Sequence, residues 1–227
     1  MPATVIDYAT SAARISQLLD GYRERIDVTL SPNDEMFTGD LDDYIGVAET
    51  AIVQIAHAMA LAGRSDCRRI LDLPCGHGRV LRALRAVFTD AELVACDIDR
   101  DGVDFCAAQF GASPVYSTPD PREIPLDGTF DLIWVGSLLT HLDASRCRAF
   151  LRVLCDRLAH YGLLLVSTHG RNAVRRWGGE DRRLNKIRRD FQKKGFGYAE
   201  RGLADHQDLA TIFKLPVHHR QWAMRLR

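Results

Sequence analysis

The chain has 227 residues, 46% of them hydrophobic and 26% charged, with 30 Lys and Arg matched by 30 Asp and Glu. These proportions exclude disordered, collagen-like and disulfide-scaffold polypeptides, and at this length one domain buries roughly 70–75% of its unfolded surface without a structural metal or cross-link. The zero net charge hides an uneven split: residues 171–227 hold 15 basic against 6 acidic side chains, and residues 1–170 hold 15 against 24.

In chain order, residues 1–43 read as a helical N-terminal arm or lid ahead of a main domain at 44–227. Ile26 to Gly63 contains no Lys or Arg, while Asp27, Asp34, Glu35, Asp40, Asp42, Asp43 and Glu49 are acidic. From Tyr44 to Leu61, Ile45, Ala48, Ile52, Ile55, Ala56 and Met59 recur every three or four residues and Gly63 follows as a stop, which predicts one amphipathic helix. Its most apolar part, Ala51 to Ala62, is interrupted by Gln54 and His57 and falls short of the ~20 residues a membrane span needs, so no span is expected.

Short β-branched or Leu-rich runs then alternate with helical periods. RRILDL is followed by a helix from Gly78 to Val87, ELVACDI by one from Asp101 to Phe110, then PVYS, FDLIWV, a helix from Ser145 to His160, and GLLLVST. This alternation predicts an α/β fold, a doubly wound, mostly parallel sheet with the ligand site at the strand C-termini. A basic helical stretch from Asp181 to Lys194 and possible strands at Ala210–Phe213 and His219–Leu226 close the chain. The six cysteines include no C-x-x-C pair and none beside a His at zinc spacing, and Asp7 interrupts any leader; no metal and a reducing, cytoplasmic setting are expected.

The segment RILDLPCGHGRV places a tight turn between a strand ending at Asp72 and a helix opening near Gly78. Gly76 and Gly78 remove Cβ atoms where a ligand must approach backbone, and free N–H groups at a helix start favour an anionic group. Asp72 has the opposite preference, repelling a pyrophosphate and attracting an ammonium. The second strand ends in Asp97, about 20 residues on, where a carboxylate can accept both ribose hydroxyls. An adenosine ribose, an amino group and a carboxylate together describe S-adenosyl-L-methionine.

DLPCGHG, the following CDID and FDLIWVGSLLTHL resemble the class I S-adenosylmethionine-dependent methyltransferase family over Tyr44 to Thr168, with Pro74 where that family usually has Gly. The resemblance implies a Rossmann-like methyltransferase fold. It gives Asp72 the methionyl amino group, Pro74, Gly76 and Gly78 the turn that lines methionine and ribose, and Asp97 the ribose. Ile98 would pack on adenine, and Asp120, with Ser117 as competitor, would contact its amino group. Arg79 would pair with the methionine carboxylate or point to solvent or to the acidic segment. Gly136 to His141, with Ser137, would run beside the transferred methyl. The family's sheet ends in an antiparallel hairpin, expected near Ala210 and His219. The string from SPNDEMF to GSLLTHL also resembles small bacterial methyltransferases that occur with glycosyltransferases.

If the acceptor is a hydroxyl, a neutral His can take its proton, and His141 is the first candidate catalytic residue and His169 the second; each has a plainer reading as a structural residue. Arg171 could bind an acidic acceptor. Tyr44 and Met36 are read either as a lid or as packing, and Trp134 as core. A small-molecule or glycan hydroxyl is the expected acceptor. The alternatives are RNA, tracked by the basic 182–194 stretch with Phe191, Phe196 and Tyr198 for stacking, a non-catalytic cofactor-binding protein, and an NAD-dependent oxidoreductase, which the acid before the glycine turn disfavours.

Overall fold

A computed structural model of the chain describes residues 8–169, 182–198 and 212–213. Helix α1 (Tyr8–Leu19) packs on α2 (Leu41–Ala62), which begins three residues ahead of the predicted start because the Asp40 carboxylate accepts from the Asp42 and Asp43 amides; it ends where Gly63 turns left-handed. By length and composition α2 is apolar enough to cross a membrane, with a mean hydropathy of 1.5. One side of it, from Ala48 to Met59, is instead spent on the protein core.

Strands β1 (Arg69–Asp72), β2 (Glu92–Asp97), β3 (Ser113–Tyr116), β4 (Phe130–Val135) and β5 (Leu158–Val166) form a parallel sheet of order β3-β2-β1-β4-β5. Alternate residues of each strand face opposite layers. Ile70, Leu93, Ala95 and Leu132 join α2, α3 (Leu81–Val87) and α4 (Arg100–Phe110) in one core. Leu71, Val94, Cys96 and Ile133 join α5 (Ala144–Asp156) in the other. The doubly wound α/β fold is thus as predicted. The N-terminal segment is no separate body: Ile15, Tyr22 and Ile26 are buried in the same core as α2.

Three expectations need correction. Helix α3 starts at Leu81 rather than Gly78, because Gly76 and Gly78 both have left-handed φ values of 49° and 79° and residues 76–80 stay in turns. Helix α5 ends at Asp156 rather than His160: Leu158 pairs with Phe130, and the Phe130 amide donates to the Arg157 carbonyl at 2.8 Å, so strand pairing overrides the helical period. At the C-terminus, α6 (Arg182–Lys194) is followed by β6 (Phe196–Gly197), which pairs antiparallel with β7 (Ile212–Phe213) in a separate two-stranded sheet. The expected strand at 219–226 and Arg171 lie outside the described residues.

Candidate active site

Strand order reverses between β1 and β4, and an open α/β sheet has its crevice at that point. Here the strand ends open onto a cavity of about 690 Å³. At its floor Asp72 is only 1% exposed, and its Oδ2 has no hydrogen-bond partner among the described residues. Burial, and then the neighbouring Asp97 charge, hold its carboxyl well above the usual carboxylate range, so it carries its proton when nothing cationic is near.

The turn after β1 is built around Asp97. The Gly76 amide donates to Asp97 Oδ2 at 2.7 Å, and the Asp99 amide donates to Oδ1 at 3.0 Å. Each oxygen retains a second lone pair for a hydroxyl. A Cβ on Gly76 would meet nothing within 4 Å, whereas one on Gly78 would lie 2.4 Å from the Phe110 ring. Gly78 therefore serves the packing of the turn on α4 and is not among the residues that line the cavity, contrary to its expected role. Pro74, Gly76, Arg79, Asp97, Ile98, Ser137 and His141 do line it, together with Asp72. Ile98 is 63% exposed, an apolar surface waiting for a flat partner.

Ser117 and Asp120 are also outside the lining. The Ser117 hydroxyl reaches the Thr118 carbonyl at 3.4 Å. Asp120 caps the 3-10 turn Pro121–Glu123 and pairs with Arg122 at 2.5 Å, and those bonds hold its carboxyl down at about 2. A carboxylate so engaged is poorly placed to reach adenine.

The β4 side of the cavity is stapled. Ser137, with a left-handed φ of 62°, donates its amide to Ser167 Oγ at 2.6 Å, and the Thr140 hydroxyl donates to the Ser137 carbonyl. This sets the 3-10 turn Leu138–His141 at the rim, with Trp134 as wall as well as core. His141 stands exposed at the mouth, and the protein around its imidazole lowers its pKa below 6.5. His169 is not in the wall, but it is near enough to His141 for that charge, after burial, to lower its own pKa.

The wall opposite adds Asp34 and Met36 from the SPNDEMF segment and, with no motif to announce them, Val47, Thr50, Ala51 and Gln54 from α2. Tyr44 is packing rather than lid; its buried hydroxyl donates to Asp34 Oδ2 at 2.5 Å, and the Arg79 guanidinium lies 5.6 Å over its ring. The fully buried Arg82 donates to the carbonyls of Gly78, Asp27 and Thr29, tying the N-terminal segment to the glycine turn. Among the described residues none from α6 lines the cavity, and Ile187 and Phe191 of that helix are buried.

The residues present fit S-adenosylmethionine. An orphaned buried carboxyl awaits an ammonium, Asp97 keeps acceptor capacity for ribose, Ile98 offers a face for adenine, and the open side of Gly76 lets the ligand approach backbone.

Comparison with known proteins agrees. The model of a family described as "Methyltransferase domain" matches residues 70–162. A fatty-acid O-methyltransferase of Mycolicibacterium smegmatis is 26% identical over 83 residues, 36% of this chain and 30% of that protein, so the match spans less than a third of the relative's length. The sugar N-methyltransferase KedS8 from Streptoalloteichus is 22% identical, with 62% of this chain and 54% of that one covered and a TM-score of 0.47. An S-adenosylmethionine-dependent methyltransferase from Clostridium acetobutylicum is 18% identical, with 54% and 52% covered and a TM-score of 0.45. Over residues 70–162, then, this chain matches a methyltransferase domain.

Proposed function

We propose that the protein transfers a methyl group to a hydroxyl of a small molecule or glycan. The observation that carries this reading is Asp72, a buried carboxyl whose Oδ2 has no hydrogen-bond partner among the described residues, in the lining of the cavity one strand from Asp97. S-adenosylmethionine, when bound, supplies a methyl group already activated by its sulfonium. The chain's task is then mostly alignment, an effect worth roughly 7–11 kcal/mol where geometry is well held. Asp72 would pair with the ammonium, its own proton passing to solvent, Asp97 would hold the ribose, and Arg79 would face the carboxylate. Ser137, fixed by its bond to Ser167, sets the rim beside the acceptor.

His141 is neutral at pH 7 because its pKa is lowered, and it accepts the hydroxyl proton as the acceptor oxygen takes up the methyl group. His169 stands close enough to His141 to feel its charge and is the second candidate for the same role. The names of relatives that act on a fatty acid and on a sugar support a small-molecule or glycan acceptor over a nucleic acid. The proposed setting is the cytoplasm, in keeping with six cysteines present as free thiols.

Calorimetric titration with S-adenosylhomocysteine tests the cofactor half of this reading. Binding that Asp97→Ala abolishes is the expected result, and absence of heat with the unaltered protein would sink the assignment.

A further inference from the structure

We infer that the acceptor is an uncharged molecule with an apolar body, held between the α2 stripe Val47, Thr50 and Gln54 and the rim turn at Leu138. The inference rests on the methyltransferase reading and narrows its substrate class.

The cavity has two halves of different chemistry. Asp72, Asp97 and Arg79 are gathered at the turn after β1, where the cofactor's own charges account for them. Across from them, Met36 is 53% and Val47 44% exposed, and both line the cavity beside Leu138 and Trp134. Residues 47, 50 and 54 share one face of α2 at spacings of three and four, next to the buried face but not part of it. Thr50 presents its methyl group, because its hydroxyl donates back to the Gly46 carbonyl at 2.8 Å.

The carboxylate in this wall among the described residues is Asp34, and it is only 8% exposed. Asp34 has both oxygens engaged, Oδ1 by the Met36 amide at 2.9 Å and Oδ2 by the Tyr44 hydroxyl. Gln54 is exposed, lines the cavity and makes no hydrogen bond to the described residues, so its neutral amide is the group left to orient a polar end of the acceptor.

A second observation is independent of the wall. The segment that supplies it, Ile26 to Gly63, carries seven acids and no Lys or Arg. An acceptor bearing phosphate or carboxylate would enter a repulsive field, with Arg79 already assigned to the cofactor's carboxylate. A cationic acceptor would be drawn in but would find Asp34 buried and already accepting from the Met36 amide and the Tyr44 hydroxyl. A neutral molecule, with its hydroxyl toward Gln54 and His141, satisfies both conditions.

Matched probes on the protein saturated with S-adenosylhomocysteine test this: 1-naphthol, 1-naphthyl phosphate and 1-naphthylmethylamine, titrated by quenching of tryptophan fluorescence, since Trp134 lies in the wall. The expectation is that naphthol binds about tenfold or more tighter than either charged probe. Val47→Lys should weaken naphthol by about tenfold while the S-adenosylhomocysteine affinity stays within about twofold; the site is exposed, so the variant keeps its fold. Gln54→Leu serves as a second, milder variant that weakens naphthol without a new charge. Equal or tighter binding of the phosphate or the amine, or naphthol affinity indifferent to both substitutions, overturns the inference while leaving the cofactor reading intact. Failure of S-adenosylhomocysteine itself to bind overturns both.

Discussion

The two halves of the cavity differ in how they are encoded. The half formed by β1, β2 and the turn after β1 must bring carboxylates and bare backbone to fixed points, and short chain segments do this: Asp72 and Asp97 end their strands, and the Gly76 amide in the turn donates to Asp97 at 2.7 Å. The half formed by α2 and the rim turn uses ordinary side chains at helical spacing, and its character comes from where α2 packs. A cofactor that is the same in many proteins demands fixed chemistry at fixed offsets, whereas an acceptor demands only a surface of matching shape and polarity. Substitutions in the first half should therefore cost binding of the cofactor, and those in the second should cost the acceptor alone.

The largest effect expected is on turnover. His141→Ala should lower kcat by about 10²–10⁴-fold while leaving S-adenosylhomocysteine affinity unchanged. The protein with His141 should lose activity as pH falls through a pKa below 6.5, because protonation removes the acceptor for the hydroxyl proton, and the variant should lack this limb. An undiminished kcat would return His141 to a structural role.

Asp72→Asn comes next. Leaving the ammonium without its charge partner in a buried site should cost about a hundredfold or more in S-adenosylhomocysteine affinity, measured by calorimetry. Stability of the empty protein should move the other way. A carboxyl whose pKa is raised by folding stabilises fully below its unfolded pKa, and that contribution is lost as pH rises through the raised value. Near pH 7 the amide escapes this loss, so the variant's melting temperature should exceed that of the unaltered protein by a few degrees, at roughly 2–4 °C per kcal/mol. Loss of affinity together with a lower melting temperature would mean a folding defect instead.

Much of this first half was legible in the sequence because its signals are local. Five strands, Asp72, Gly76 and Asp97 each follow from alternation or from a residue type at a strand end. Some of the failures depend on partners distant in sequence. The end of α5 is decided by pairing of Leu158 with Phe130, and the burial of Arg82 by carbonyls at Asp27 and Thr29. Val47 and Gln54 look like any exposed helical positions until α2 is laid beside the cavity. Gly78 was placed correctly in the turn and wrongly in the site, since nothing local tells which way its missing Cβ would point.

Gly78→Ala sharpens that distinction. Its left-handed φ and a Cβ 2.4 Å from Phe110 together should destabilise by about 2 kcal/mol or more, a drop of roughly 4–8 °C in melting temperature. Once folded, the variant should still bind S-adenosylhomocysteine, because the clash lies toward α4. A variant of unchanged stability but lost affinity would put Gly78 back in the cavity wall.

Asp120→Ala should do least, and it separates the two ways of locating an adenine contact. By position after the third strand, Asp120 matches a residue that meets adenine; by geometry, its carboxylate caps the turn at Pro121 and pairs with Arg122. If the geometry governs, affinity for S-adenosylhomocysteine stays within about twofold, and stability falls only slightly, by the loss of an exposed cap. If the position governs, Arg122 must release the carboxylate when ligand binds. The alanine variant would then lose about tenfold in affinity, and Arg122→Ala, freeing the acid in advance, would bind more tightly than the unaltered protein. The pair of variants distinguishes the cases by sign, because a capping role predicts no gain from removing Arg122.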